Sequence, residues 1–197
     1  ENITPQQLFD EVAVKGHSFC AGFLKEDQEG FCHKTSDNWL GSQILALDFD
    51  NKDSNDNKLE GEEYFSYDDA LNDPFIMKYA SIVYTTPTHT SDHHRFRIIF
   101  ILPNFCNDKE KYEKAIKHLT KKYNGDPATT SIVQGFYGSK NAKRRDFLNN
   151  LLPPDEFDFL VEQFDDQQEP EFKQLQTNKF ELDKWKLQDY DELLSFI

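Results

Sequence analysis

The chain has 197 residues, the length of one ordinary domain with room for a small appendage. Hydrophobic residues make up 37% of it, and 18 Phe, 8 Tyr and 2 Trp supply large apolar side chains, so wholesale disorder is excluded. No apolar run approaches the ~18 residues of a membrane-spanning helix. The formal net charge of −14 also argues against a protein coated in DNA-binding charge.

Cysteine usage and charge distribution divide the chain further. Cys20, Cys32 and Cys106 cannot all pair with one another, which disfavours a disulfide framework and favours a reducing, cytoplasmic compartment. The first residues show no basic stretch followed by an apolar one, so no signal peptide is expected. Residues 153–197 hold 13 acids and 4 bases. The sequence therefore predicts one domain at 1–152 and an acidic helical C-terminal extension at 153–197.

The first third of the chain predicts a helix followed by two strands. Thr4-Pro5-Gln6-Gln7 is typical of a helix start, with Thr as the N-cap and Pro at the first helical position. Residues 18–24 favour a strand, and residues 25–42 favour a polar loop. Residues 43–49 form the clearest buried strand, a short apolar run with polar ends that finishes in Asp48-Phe49-Asp50.

The middle of the chain predicts two short helices and a hairpin. Ser66 is placed to cap a helix at Tyr67–Leu71, and Asp73-Pro74 starts a second one. Residues 81–86 and 95–102 are typical of strands. Since eight residues between them are too few for a crossover, the pair should be an antiparallel hairpin.

The remainder of the first 152 residues predicts an amphipathic helix, a strand and a basic loop. The helix covers 108–123, with its apolar side chains on one face, the strand covers 132–137, and the loop covers 140–145. Helices lie between some strands and a hairpin lies between others. This order predicts an α+β fold with a mixed sheet, close to a ferredoxin-like or RRM-like core.

Two aspartates close the clearest strand. Asp48 and Asp50 are two residues apart, so on a strand their side chains share one face. Two carboxylates this close repel one another unless a cation lies between them, and hard oxygen ligands suit Mg²⁺ or Mn²⁺. A strand-end turn with solvated aspartates is the alternative, although the preceding apolar run delivers the pair to a fixed place.

A histidine and two arginines follow on the predicted hairpin. His89 lies in the sequence Thr-Pro-Thr-His-Thr at 86–90, and Arg95 and Arg97 are two apart, so they share a strand face. Imidazole and guanidinium groups together can grip a triphosphate. A structural histidine and a solvated strand face are the alternatives.

A third acid and a basic patch come later. Asp126 could add a carboxylate to the first two, or serve as a turn residue before Pro127. The predicted strand at 132–137 ends in small residues followed by Lys140, and such a loop could let backbone amides approach phosphates. With Lys140, the patch contains Lys143, Arg144 and Arg145, which suit phosphates or nucleic acid, or simply favour solubility.

Taken in order, these motifs resemble a known family. The hydrophobic-Asp-x-Asp sequence at 43–50, Thr-Pro-Thr-His at 86–89, Arg-Phe-Arg at 95–97 and then Asp126 are similar to the motifs of the archaeo-eukaryotic primase superfamily. More narrowly, they resemble the primase-polymerase domains of plasmids, phages and related mobile elements. The resemblance covers roughly residues 15–150 and implies an RRM-like catalytic core.

The resemblance also implies the site. Asp48, Asp50 and Asp126 would be the catalytic acids that bind two divalent ions, Mg²⁺ or Mn²⁺. Pro87 stands where the family has its Ser or Thr, so Thr86 or Thr88 would supply that hydroxyl. The predicted nucleotide-binding residues are His89, Thr88, Arg95, Arg97 and Lys140.

The activity that this resemblance implies is metal-dependent nucleotidyl transfer. The chain would be a DNA primase, a DNA polymerase or both, acting in the replication of a mobile element. Its partners would be nucleoside triphosphates, a DNA template or primer, and a helicase or other replication protein, but no membrane. The metals would ease deprotonation of a 3′-hydroxyl and neutralise the pyrophosphate leaving group.

Three other interpretations compete with this one. A haloacid-dehalogenase-type phosphatase also needs a strand that ends in Asp-x-Asp, but its parallel sheet conflicts with the short hairpin. A catalytically inactive module that binds nucleic acid or a partner protein is consistent with the net acidity. A zinc site is disfavoured because the candidate ligands are irregularly spaced. Those ligands are His17, Cys20, Cys32 and His33.

Overall fold

The computed structural model describes residues 3–140 and 142–164. The chain divides into two compact units, Glu1–Val161 and Glu162–Ile197. Most of the predicted acidic C-terminal extension, residues 165–197, lies outside the described residues. Within the described part, no helix combines the length and apolar character needed to cross a membrane.

Two antiparallel sheets organise the first unit. A five-stranded sheet has the order β2-β3-β5-β4-β7, and β1 pairs with β6 in a separate ribbon. The seven strands are β1 (Phe19–Cys20), β2 (Phe23–Leu24), β3 (Trp39–Phe49), β4 (Ile82–Thr85), β5 (Phe96–Cys106), β6 (Gly135–Phe136) and β7 (Arg145–Phe147). Every strand pair among the described residues is antiparallel, so this sheet is not mixed in strand direction.

The described residues form five α-helices. They are α1 (Pro5–Phe9), α2 (Tyr67–Asn72), α3 (Pro74–Tyr79), α4 (Lys109–Lys122) and α5 (residues 154–164). A π-helical turn, Asp10–Val14, continues α1. The α+β class predicted from the sequence is confirmed.

The two faces of the five-stranded sheet carry separate cores. Because side chains alternate along a strand, Leu45 and Leu47 of β3 point to one face and Ala46 points to the other. The first face packs against α2, α3 and α4, whose buried residues include Ile76 and Leu119. The second face is closed by the N-terminal helical segment and by the β1–β6 ribbon.

Several local predictions are confirmed. Ser66 caps α2 in a reciprocal capping box with Asp69, and Asp73 caps α3 ahead of Pro74. The strands on either side of residues 87–94 form the expected antiparallel hairpin, with Tyr84 opposite Arg97. The apolar face predicted for α4 is buried, namely Tyr112, Ala115, Ile116, Leu119 and, at its C-cap, Tyr123.

Three segments differ from the predictions. The strand predicted at 18–24 is divided into β1, which pairs with β6, and β2, which pairs with β3. The chain changes partner strands near Gly22, where the backbone passes so close to the ring of Trp39 that an added Cβ would lie 2.5 Å from it. The strand predicted at 132–137 is reduced to β6. The basic loop predicted at 140–145 ends in β7, which pairs with β4.

Candidate nucleotide and metal site

The candidate site lies at one end of the large sheet. Since β3 and β4 are both antiparallel to β5, they run in the same direction, and Asp50 and the turn at residues 86–89 leave the sheet at the same edge. The Nε2 of His93 donates to the backbone oxygen of Asp50 over 2.7 Å, which ties the hairpin loop to the acidic strand end. The structure therefore brings the two predicted motifs together.

Asp48 is more buried than Asp50, since their side chains are 18% and 32% exposed. It faces Arg97 across the β3–β5 pair, and its Oδ2 accepts a hydrogen bond of 2.8 Å from Nη2 of Arg97. The other oxygen, Oδ1, is buried and has no hydrogen-bond partner among the described residues. One half of this carboxylate is therefore held by the protein, and the other half is left for a ligand.

Arg97 is enclosed rather than exposed. Its side chain is 4% exposed, and its guanidinium lies 4.5 Å from the ring centroid of Phe136 and 5.5 Å from that of Tyr84. Nη1 donates to the Tyr84 hydroxyl and to the backbone oxygen of Tyr137. Arg95 precedes the strand and does not share this environment. Arg97 is thus directed at Asp48 and at the ribbon.

Asp126 lies next to Asp48 through the backbone. Its amide donates to the Asp48 carbonyl over 2.8 Å, at the loop that follows α4. Its side-chain Oδ1 accepts from the amide of Ala128 and caps a short 3₁₀ turn. Asp50 and Asp126 line the same pocket of about 240 Å³. Asp48, Asp50 and Asp126 are therefore neighbours, although the Asp126 side chain also caps a turn.

The electrostatics of Asp48 favour a bound cation. Burial raises the pKa of its carboxyl, Arg97 opposes that rise, and the negative charges of Asp50 and Asp126 add to it. An unpartnered buried oxygen beside two more carboxylates fits a divalent cation at Asp48 and Asp50. Residues 3–140 and 142–164 contain no group of three or more His, Cys, Asp or Glu side chains that is already arranged to hold a metal.

Lys52 supplies the positive charge nearest to Asp50. Its ammonium lies 3.5 Å from Asp50 Oδ2 and 2.8 Å from Asp56 Oδ1. The side chains of Lys52 and Asp50 are about one-third exposed, so the ammonium can swing away at small energetic cost. Asp50 is consequently accessible to a competing cation.

His89 presents a defined proton. The turn at 86–89 closes with the His89 amide donating to the carbonyl of Thr86, and His89 Nδ1 accepts from the backbone amide of Arg95. Burial lowers the pKa of His89, and the nearby His94, Lys143 and Arg144 lower it further. Because Nδ1 is an acceptor, the neutral ring carries its proton on Nε2.

Basic side chains gather beside His89. Arg95 Nη1 donates to the hydroxyl of Thr88 over 3.2 Å. The hydroxyl of buried Thr85 accepts from the amides of Lys143 and Arg144, which fixes that segment at the end of β4. The predicted residue Lys140 is exposed, and its backbone packs on Gly16.

Four residues of the site have roles that the sequence did not reveal. Tyr84 and the Tyr137 carbonyl hold Arg97, Thr85 anchors the basic segment, and Asn51 links Asp50 to the hairpin. An isolated buried Tyr, Thr or Asn has no pattern of its own. Asn51 alone matches a sequence signal. Its φ of 49° is left-handed, and Asn is a residue type that tolerates this conformation.

The two histidines considered for zinc are each paired with a carboxylate. His17 Nδ1 lies 2.7 Å from Glu11, and His33 Nε2 lies 2.9 Å from Asp27. Cys20, Cys32 and Cys106 are free thiols.

Comparison with known proteins gives one distant structural likeness. No family model and no curated protein matches the chain. The chain is similar in structure to the AEP domain (PP-N190) of the primase-polymerase of cyanophage S-2L, with a TM-score of 0.43 and 6% sequence identity. The match covers 66% of this chain and 65% of that one, so the chain spans just under two thirds of that domain.

Proposed function

We propose that the chain is a metal-dependent nucleotidyltransferase of the primase-polymerase type. The observation that supports the proposal is the shared end of the sheet, from which both Asp50 and the turn that carries His89 leave, and where His93 bonds to the Asp50 carbonyl. Asp48, with one unpartnered carboxylate oxygen, precedes Asp50 by two residues on the same strand. A cation site beside phosphate-binding groups is what nucleotidyl transfer requires.

In this proposal the acids hold divalent cations. Asp48 would bind Mg²⁺ or Mn²⁺ through its unpartnered Oδ1, Asp50 would add an exposed carboxylate, and Asp126 would supply the third. Two such ions, when bound, supply a Lewis acid for the attacking hydroxyl and the pyrophosphate. Arg97 keeps one oxygen of Asp48 fixed, so that the other stays directed at the ligand.

The phosphates would lie at the turn formed by residues 86–89, at the same end of the sheet as the acids. His89 can donate its Nε2 proton to a phosphate oxygen while the Arg95 amide holds its ring in place. Arg95, Lys143 and the hydroxyl of Thr88 surround the same turn. Nucleoside triphosphates and a DNA template or primer are the substrates that this assignment implies, and a helicase or other replication protein is the partner.

A second candidate is a module that binds nucleic acid or a partner without catalysis. The observation that favours it is the arrangement of the acids, because Arg97 already neutralises Asp48 and the Asp126 side chain caps a turn. The phosphatase alternative is excluded, since β3, β5 and β4 are joined antiparallel and that fold needs a parallel sheet.

Nucleotide incorporation on a primed DNA template with Mn²⁺ tests the proposal. We expect the wild type to extend the primer, and Asp48→Asn and His89→Ala to lose at least a hundredfold in rate. Because Asp48→Asn leaves Arg97 without its buried counter-charge, the rates are compared at a temperature at which each variant still has the far-UV spectrum of the folded wild type. Asp37→Ala, which changes an exposed aspartate outside the site, is the matched control. Full activity in Asp48→Asn would refute the metal assignment, and DNA binding by the wild type without incorporation would favour the inactive module.

A further inference from the structure

Tyr137 is the most exposed large hydrophobic side chain among the described residues. It is 87% exposed, whereas its neighbour Phe136 is 3% exposed and packs under Arg97. Phe31, in the polar loop between β2 and β3, reaches 61%. An aromatic ring left in water forgoes the area burial that normally stabilises it, so its placement is not explained by packing.

The backbone under this ring is held on both sides. The Tyr137 carbonyl accepts from Arg97, and the Gly138 amide donates to the hydroxyl of Ser18 over 3.0 Å. Gly138 also lies so close to Gly16 that a Cβ there would be 1.8 Å from the Gly16 oxygen. The ring is therefore exposed on a fixed main chain, and a ligand that covers it would order only the side-chain torsions.

The main chain that carries this ring is bonded to the Arg97 side chain. One guanidinium, that of Arg97, contacts both the Asp48 carboxylate and the Tyr137 carbonyl, so the backbone of Tyr137 lies one side chain away from Asp48. Two residues later Ser139 donates to the backbone oxygen of Thr85, the residue that anchors Lys143. Residues 137–139 are thus bonded both to the side chain that holds Asp48 and to the end of β4.

We propose that Tyr137 is the stacking surface for the nucleobase of a nucleoside triphosphate bound at this site. This inference rests on the proposed function and adds to it how the base is held. A flat ring on a fixed backbone binds any of the bases through its face, so it supplies affinity without choosing a sequence.

The test compares two ligands that differ only in having a nucleoside. Binding of ATP and of inorganic tripolyphosphate, each with Mg²⁺, is measured by calorimetry on the full chain. We expect Tyr137→Ala to weaken ATP binding roughly tenfold and to leave tripolyphosphate binding unchanged. Tyr137→Phe, which keeps the ring, should bind both ligands as the wild type does, and Phe31→Ala is the exposed-aromatic control.

The outcomes separate this inference from the function on which it rests. If His89→Ala weakens both ligands and Tyr137→Ala leaves both unchanged, the phosphate site stands and the stacking role is overturned. Equal weakening of both ligands in Tyr137→Ala also overturns it, since the ring would then act on the phosphates or on the fold. If the wild type binds neither ligand, both the proposed function and the inference are wrong.

Discussion

Asp48 and Arg97 lie directly opposite each other in the β3–β5 register, and the guanidinium donates to the carboxylate over 2.8 Å inside an aromatic enclosure. Removing two charges from water is costly, and only their mutual attraction and further hydrogen bonds offset that cost. Arg97 gains two such bonds, from Tyr84 and Tyr137, but its Nε and the Oδ1 of Asp48 are both buried without a hydrogen-bond partner among the described residues. The pair therefore depends on both members being present.

Arg97→Met should destabilise the fold strongly. The substitution keeps an apolar stem but leaves the Asp48 carboxylate without its buried counter-charge, which costs about 3 kcal/mol. Urea unfolding at pH 7 measures the change. Arg145→Met is the matched control. Arg145 of β7 pairs with Tyr84 of β4, as Arg97 of β5 does on the opposite side of that strand, but Arg145 is exposed. Its loss should change stability by less than about 0.5 kcal/mol. Equal effects of the two variants would contradict the role of the pair.

The sequence predicts the strands around Asp48 and Arg97 better than it predicts the pairing of these two side chains. An apolar run predicts the second half of β3, and the hairpin follows from the short connection at 87–94. Both depend on neighbouring residues. The burial of Arg97 depends on Phe19 and Phe136, which belong to a ribbon formed by residues more than a hundred positions apart. Strand spacing alone therefore favours a solvated arginine.

Two of the wrong boundaries have different causes. The apolar pattern at 18–24 predicts one strand, since it contains no signal for the change of partner at Gly22. β7 is hidden because Lys143, Arg144 and Arg145 together are typical of a loop, although an edge strand tolerates such charges. The proximity of the three acids is brought about by the Asp126–Asp48 backbone bond, which no spacing predicts.

Asn51→Ala should destabilise the fold at the end of β3, next to Asp48 and Asp50. The buried side chain donates to the carbonyls of Phe65 and His94 and accepts from the amide of Phe65. Losing these bonds leaves buried polar groups unpaired, and we expect a loss of about 2–3 kcal/mol by urea unfolding. Asn149→Ala is the control, because Asn149 has the same left-handed φ but is exposed, and strain alone should cost about 1 kcal/mol. A loss in Asn51→Ala no larger than the control's would show that the bonds contribute nothing.

Gly138→Ala should disrupt the contact between the ribbon and the N-terminal segment. A Cβ at this position would lie 1.8 Å from the backbone oxygen of Gly16, and no side-chain movement can relieve a clash with backbone. We expect a loss of about 2–3 kcal/mol in unfolding free energy. At Gly125 the nearest atom to an added Cβ is the Asp48 oxygen at 3.4 Å, so Gly125→Ala should change stability by less than about 0.5 kcal/mol. A Gly138→Ala protein as stable as Gly125→Ala would refute the close approach.

His89 should make stability depend on pH in a defined window. Burial, with His94, Lys143 and Arg144, lowers its pKa in the folded state, so between that pKa and about 6.5 the unfolded chain binds more protons. Its contribution to stability is complete above pH 6.5 and is lost as the pH falls through the window. His89→Gln should therefore lose less stability than the wild type between pH 7.5 and 5, as measured by urea unfolding.

A proton NMR titration separates the phosphate contact from burial. Burial, with Lys122 and Lys121, also lowers the pKa of His118, which lies on α4 and is not part of the site. Added tripolyphosphate should raise the pKa of His89, because the bound anion stabilises the imidazolium, and should leave the pKa of His118 unchanged. A parallel rise of both would indicate a general effect of ionic charge, and no rise at His89 would remove it from the phosphate site.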